Sequence, residues 1–537
     1  MDVFSERWSR KLQRLIAHLV PVIALLLIAM AYYLGIRTER TGFVAEVLDP
    51  NLKKITQPVL NAFRGRPPSV HKLMIGITDE RMDSLRMIRE NAIENGWLHA
   101  DQNIAFTVQL SFGEYGVLAT MNLLEGPSQQ LAFRRWPFHL HLSDGDTLFW
   151  MSAMDLRPLD DISSLYAWLF QKALRDRGLL TYGHEMLELR LNDQDMGLYT
   201  LEGASDSATL AFWDRSPGPI LRFDDALLAG AREALEVRAF PSLAPPQGDW
   251  LVAPIINARV DSVAIDAESS RRYAAAVQQL EDLRSGRRRP SQVFDIPSLA
   301  RLFALADLFG GQDAISWWNL RFLEDSVPAN CIVVPKRTPA GEPIEAISAL
   351  HLENPLSFDP RSAGFQEKLF NDSIFYRHYI ANLDTFSQRG WLEGFLERIG
   401  PGLEERATII KAEYPQEILD TMIFDHNRTI IQQTLRPKDL VLAYVQDAAG
   451  DRQRLALANV HSLPIRVVSI VSGTDTVELP EPVVLLPREL DKPLSYTLVP
   501  ARMPRDLGEA ERILVHVLGL QELRSAAIRT WSTFEAN

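Results

Sequence analysis

The first strong pattern in the chain is an unbroken apolar run. From Leu19 to Ile36 it reads LVPVIALLLIAMAYYLGI without a charge, and Leu15, Ile16 and Ala17 extend it across His18. A helix of this stretch spans about 27 Å, enough for bilayer hydrocarbon. It has none of the polar face that a buried globular helix usually keeps. The pattern therefore predicts a transmembrane helix over 15–36, preceded by a short tail over 1–14. Arg7, Arg10, Lys11 and Arg14 lie before it, whereas Arg37 and Arg40 after it are interleaved with Glu39 and Glu46. That asymmetry places the N-terminus in the cytoplasm and the body outside the cytoplasmic membrane, periplasmic or extracellular. No small-residue cleavage pattern follows the run, so a retained signal anchor is expected. Tyr32 and Tyr33 suit its outer interface.

After a polar connector over 37–71, which ends in the turn-rich Arg64–Pro68, a strand is predicted over Lys72–Ile77. Met82, Leu85, Ile88, Ala92 and Ile93 then recur at helical spacing and stop before Gly96. Ile104–Phe112, Tyr115–Leu123 and Phe138–Leu142 read as antiparallel strands between Gly and Asp turns. Leu165, Trp168, Leu169, Ala173 and Leu174 form a helical stripe over Ser164–Arg177, with Gly178 as its cap. Met186–Leu191 and Gly197–Leu201 make a strand pair around the turn Asn192–Asp195. These elements define an α+β unit over 72–225.

From 226 to 437 the pattern is mainly helical, with helices predicted over Arg271–Leu283, Pro297–Phe309 and Phe375–Ile399, and Asp295 as a cap. Over 438–537 short strands return, including Leu440–Val445, Arg454–Val460, Ile465–Val471 and Arg512–Val517. Their spacing predicts a small β-sandwich.

Composition narrows the function classes. The 537 residues exceed one ordinary core, and 46% hydrophobic with 23% charged residues is globular usage. A formal net charge of −13 disfavours nucleic-acid binding, and Arg287–Arg289 beside Gly286 and Pro290 reads as a solvated loop. The single cysteine, Cys331, excludes an internal disulfide framework and a cysteine-rich metal site. His139 and His141 share one face of a strand, an arrangement that suits a metal but lacks a third ligand nearby in sequence; it reads more simply as a half-buried polar face. Asn427-Arg-Thr matches the short N-glycosylation pattern. No P-loop, Rossmann glycine signature, Gly-x-Ser-x-Gly elbow or His-Glu-x-x-His helix is present.

Several ordered blocks resemble the spore-coat-protein-H (CotH) kinase family. These are LYAWLFQKALRDRGLL followed by LELRLNDQDMGLYTLEG (Leu187–Gly203), FALADLFGGQDAISWWNLRF (Phe303–Phe322), GPILRFDDALL (Gly218–Leu228) and LALANVHSLPIRVVSIV (Leu455–Val471). The resemblance spans roughly 70–475. It implies an atypical protein-kinase-like, two-lobed α+β body that uses ATP and Mg²⁺. By the same resemblance Arg135, in a basic strand with Arg134 and Phe138, would touch phosphate, and Glu202 would orient it or the nucleotide. Asp313 would serve as acceptor base or metal ligand, and Asn319 as metal ligand. If both lay on one continuous helix they would stand about 240° apart and share no face, and Asp313 reads equally as a helix cap. Asp307, on the preceding helix, reads as a polar-face residue.

The chain departs from the family where a second metal-binding aspartate belongs. That stretch reads Cys331-Ile-Val-Val-Pro-Lys-Arg-Thr-Pro339, and no aspartate occurs from Ser326 to Phe358. Lys336 and Arg337 would repel Mg²⁺ there. Gly183 stands in a slot that often holds arginine, and Met121–Gly126 lacks the family's basic residue. The leading expectation is a membrane-anchored, extracytoplasmic CotH-kinase-like protein with impaired phosphotransfer, acting as a binding or assembly component with an envelope protein partner. One alternative is an active kinase that recruits Glu324, Asp325 or Glu345 to its metal. Another is an adhesion or polysaccharide-contact protein acting through the C-terminal sandwich.

Overall fold

The computed structural model describes residues 70–132, 135–143, 145–159, 163–215, 218–225, 250–259, 267–324, 330–350, 364–414, 419–446, 453–472, 475–489, 492–501 and 511–530. The predicted anchor over 15–36, and Arg134 and Asp325, lie outside these residues. Among the described residues no helix is long and apolar enough to cross a membrane. The architecture is mixed α+β.

Two compact units are present. In the smaller, Asp79–Asn103 and Glu125–Pro137 build helix α1 (Asp79–Asn95) and a two-residue antiparallel pair, Trp97–Leu98 with Gly126–Pro127. Gly96 leaves the helix at φ +85°, where a side chain would be strained. Arg89 donates to the carbonyls of Leu131 (2.7 Å) and Ala132 (3.2 Å), and its guanidinium lies 5.0 Å from the Trp136 ring.

The larger unit begins with a closed seven-stranded barrel. Its strands are β1 (His71–Gly76), β2 (Phe106–Phe112), β3 (Tyr115–Leu123), β4 (Phe138–Leu142), β5 (Ala153–Pro158), β6 (His184–Leu191) and β7 (Gln194–Gly203). They run β1-β2-β3-β4-β5-β7-β6 around the wall, and β6 closes on β1 in parallel, Leu73 opposite Leu189. The alternation that predicts these strands also decides which residues fill the barrel. On β4, Phe138, Leu140 and Leu142 are buried while His139 and His141 between them are half-buried on the other face. The loop from β4 to β5 closes with reciprocal backbone hydrogen bonds between Leu148 and Met151. Both residues at its tip have positive φ, Phe149 at 51° and Trp150 at 68°. Phe149 is repaid by ring contacts with His71 and Phe112, whereas Trp150 is 71% exposed.

Helix α2 (Ser163–Asp176) buries Leu165, Trp168, Leu169, Ala173 and Leu174, the stripe its spacing predicts. After α3 (Ser207–Phe212), a four-stranded sheet appears that the helical reading of 226–437 did not anticipate. Its strands are β8 (Ile220–Phe223), β9 (Ile255–Asn257), β10 (Leu320–Glu324) and β11 (Cys331–Pro335), in the order β9-β8-β10-β11. All four are short, and β11 is buried throughout, so it lacks the alternation that marks a half-exposed strand.

Helix α4 (Ala267–Arg284) precedes α5 (Ile296–Phe309), which is buried around nearly its whole circumference. Gly310 ends α5 in the left-handed region at φ +61°, and a Cβ there would collide with the Glu342 carbonyl. Next come α6 (Phe365–Asn371), α7 (Ser373–Phe386), α8 (Arg389–Glu413) and α9 (Met422–Leu435). The single helix expected over Phe375–Ile399 is two, broken where the backbone of Gln388 is extended.

The remaining strands are β12 (Val441–Gln446), β13 (Gln453–Asn459), β14 (Ile465–Ser472), β15 (Asp475–Leu485), β16 (Thr497–Ala501), β17 (Arg512–Val517) and β18 (Arg524–Thr530). They form one linked sheet, β15-β14-β17-β18-β12-β13-β16. The early residues of β18 pair with β17 and the late ones with β12.

Two stability predictions follow from this architecture. Trp150→Gly removes an exposed ring from a left-handed position, so unfolding in denaturant should show a gain of about 0.5–1 kcal/mol; a loss would mean that the indole packs. His461 is buried, and its Nδ1 accepts the Leu463 N–H (2.7 Å). Burial pushes its pKa down to about 4. Between pH 6.5 and 4 the unfolded chain therefore binds the extra proton, and stability must fall as pH falls through that window. His461→Gln should flatten that part of the stability curve measured from pH 7 to 4.

Candidate functional site

The barrel register brings together five polar residues far apart in sequence. Asn122 on β3 stands opposite His139 on β4, His139 opposite Asp155 on β5, Asp155 opposite Glu202 on β7, and Glu202 opposite His184 on β6. Directly opposed residues share a face, so the five form one row across the wall. Arg157, two positions beyond Asp155 on β5, projects from the same face.

Two more charges reach this face from the residues after β11. Asn319, just before β10, grips that segment through its backbone. Its amide donates to the Arg337 carbonyl (2.8 Å) and the Ala314 carbonyl (2.9 Å), and its side-chain oxygen accepts the Arg337 N–H (3.0 Å). Its own carbonyl accepts the Lys336 N–H (2.8 Å). The grip sets Lys336 against the barrel. The ammonium donates to the Gly203 carbonyl (2.7 Å), lies 3.5 Å from the Asp155 carboxylate and sits 5.1 Å from the Tyr182 ring. Asp155 also meets Nδ1 of His139 at 2.8 Å. Burial alone would push the Asp155 pKa up; Lys336, the His139 hydrogen bond and Arg157 together hold it well below the usual carboxylate range.

Glu202 forms a looser second centre. Its Oε2 is 3.5 Å from Arg157 Nε and 3.9 Å from Arg337 Nε. Neither Glu202 Oε2 nor Arg157 Nε makes a hydrogen bond, and Nδ1 of His184 is also buried without one. Burial opposes the Glu202 charge, but Arg337, Arg157, His184 and Lys336 lower its pKa on balance. Burial, which favours the neutral imidazole, lowers the His184 pKa despite the neighbouring Glu202.

Of the residues singled out from the sequence, Glu202 joins this cluster directly. Asn319 belongs to it through the backbone it holds. Asp313 is exposed within a 3₁₀ turn, Gln312–Ile315, and acts on Arg337 only through its charge. Asp313 and Asn319 thus do not share a continuous helix; Ser316 is extended between them. Arg135 lies in the smaller unit, ahead of β4 and not within a strand. Glu324 is engaged by Arg272 (2.8 Å), and Glu345 is exposed. His139 pairs with Asp155, and among the described residues no three His, Cys, Asp or Glu side chains gather as a metal site requires. With the Asn319 amide committed to the backbone and two cations beside it, this donor set is a poor fit for Mg²⁺.

Two other polar residues prove to be parts of the frame. Asp307 is wholly buried and accepts the N–H of Ser348 (3.1 Å), its hydroxyl (2.6 Å), the Gln312 amide (2.9 Å) and the Tyr379 hydroxyl. It ties α5 to the segment after β11 and to α7. Asn427 is 0% exposed and bonds Leu308, Glu342 and Ile344, so its side chain is closed to glycosylation in the folded protein. At Gly183, the methionine side chain of Met151 fills the space that a Cβ would enter.

Sequence reasoning missed Asp155, Arg157 and His184. The available signal was the alternation on β4, which marked His139 as one rung of a polar face; the other rungs needed the register. No protein-family model and no curated protein matches this chain.

Asp155→Ala strands Lys336 in a desolvated position and should cost about 3 kcal/mol in denaturant unfolding. Adding Lys336→Met should recover at least half of that loss. Simple additivity of the two changes would count against a coupled pair.

Proposed function

We propose that this chain is a CotH-kinase-like protein, held on the outer side of a membrane by Leu19–Ile36, that acts by binding within an envelope assembly and does not transfer phosphate. The observation that carries this reading is the position of Lys336. Its ammonium is bonded to the Gly203 carbonyl and faces Asp155, and its backbone N–H is held by the carbonyl of Asn319, so a cation is built into the segment beside a residue that the family resemblance assigns to metal. Divalent cations are repelled by such a group, and the Asn319 amide is already spent.

The sequence blocks that resemble CotH kinases support a kinase-like arrangement of the barrel and the helical region, with ATP and Mg²⁺ as ancestral ligands. The strand-switching of β18 between β17 and β12 supports reading the last strands as a sandwich-like module. The absence of a broad cationic field leaves nucleic acid an unfavourable partner, and an envelope protein is the partner this reading expects.

Full-length protein in detergent micelles, titrated with ATP with and without Mg²⁺, tests the reading. The expected outcome is no Mg²⁺-dependent rise in melting temperature and no label transferred from γ-labelled ATP to protein or peptide acceptors. Mg²⁺-dependent transfer that disappears in Asp313→Ala would overturn it and favour the active kinase.

A further inference from the structure

The charges on the barrel face do not balance. Lys336, Arg157 and Arg337 bring three cations to two carboxylates, Asp155 and Glu202. Asp155 is matched by Lys336 and His139. Glu202 is left to serve two guanidiniums at once, at 3.5 and 3.9 Å, without a hydrogen bond to its Oε2. Asp155 and exposed Asp313 attract Arg337 too, but each less strongly than Glu202, and together they leave its pKa lowered by Arg157 and burial on balance.

A guanidinium beside a carboxylate ordinarily makes paired, directed hydrogen bonds of about 2.8 Å. Here the Arg157 Nε–H is buried and makes none. The nearness of Arg157 is the largest influence lowering the Arg337 pKa, ahead of burial. Two like charges are thus held together by the fold. Arg337 is 51% exposed, whereas Arg157 and Glu202 are mostly covered, so the unbalanced centre opens to solvent along the Arg337 side. Arginine forks match the planar or tetrahedral array of oxygens on a carboxylate or phosphate.

We infer that Arg157 and Arg337 form a binding site for a small oxyanion, a carboxylate or phosphate group, taken up without a divalent metal. The anion would bridge the two guanidiniums beside Glu202, accepting the unused Arg157 N–H and relieving the repulsion between the cations. Lys336, fixed on Gly203 and Asp155, adds attraction without direct contact. This deepens the proposed binding function by naming the chemical class of its ligand.

Full-length protein in detergent micelles containing EDTA should be titrated with sodium phosphate in one arm and sodium acetate in another, against sodium chloride at matched ionic strength. A saturable rise in melting temperature in either anion arm, above chloride, is expected; the stronger arm tells phosphate from carboxylate. Arg337→Gln, a change at a half-exposed position, should weaken that response at least tenfold. Glu202→Gln, which removes the competing carboxylate, should tighten it severalfold. A response no greater than chloride in both arms, or one unchanged in Arg337→Gln, overturns the inference. Because every arm lacks Mg²⁺ and ATP, its failure is read separately from phosphotransfer: anion binding could be absent while the protein still transfers no phosphate, and the reverse.

Discussion

The desolvated contact between Lys336 and Asp155 is the constraint around which the larger unit is arranged. A lysine so placed is tolerable only if carbonyl, carboxylate and ring all stand where its hydration shell was. Each comes from a different part of the chain: Gly203 from the end of β7, Asp155 from β5 and Tyr182 from the approach to β6. Asn319 meets the matching requirement on the other side, since its hydrogen bonds hold the backbone of residues 336 and 337 in register with the barrel face. The rows of the barrel and the segment after β11 therefore depend on one another through the Lys336 ammonium, with the looser Arg337–Glu202 approach beside it.

The same arrangement explains why resemblance and chemistry diverge. In the CotH reading, the chain around Asn319 exists to hold a metal. In this protein the asparagine is used to build the mount for two cations, and Asp313 faces solvent within its turn. A kinase-like sequence pattern is thus compatible with a site of opposite polarity.

Much of the fold was readable from local signals. The stripe of α2, the stop at Gly96 and the alternation of β2, β3 and β4 each follow from side-chain period and a capping glycine. β11 was hidden because a strand buried on both faces shows no alternation, and α7 was joined to α8 because the break is one extended residue, Gln388, without Gly or Pro to mark it. At the site, Glu202 and Asn319 were singled out by the family resemblance alone, for nucleotide and metal roles, whereas in the fold one faces two arginines and the other holds backbone. Asp155 and His184 were not, since their significance arises only when five strands lie side by side. Asp307 looked like an ordinary polar-face residue; its three hydrogen-bonding partners, Gln312, Ser348 and Tyr379, sit on three separate segments.

The parallel closure of β1 on β6 carries a consequence for how the chain reaches this state. Leu73 must find Leu189, across a loop of roughly a hundred residues, before the wall is continuous, a distant pairing of the kind that slows folding. During synthesis β1 emerges early and waits with one edge open until β6 and β7 leave the ribosome.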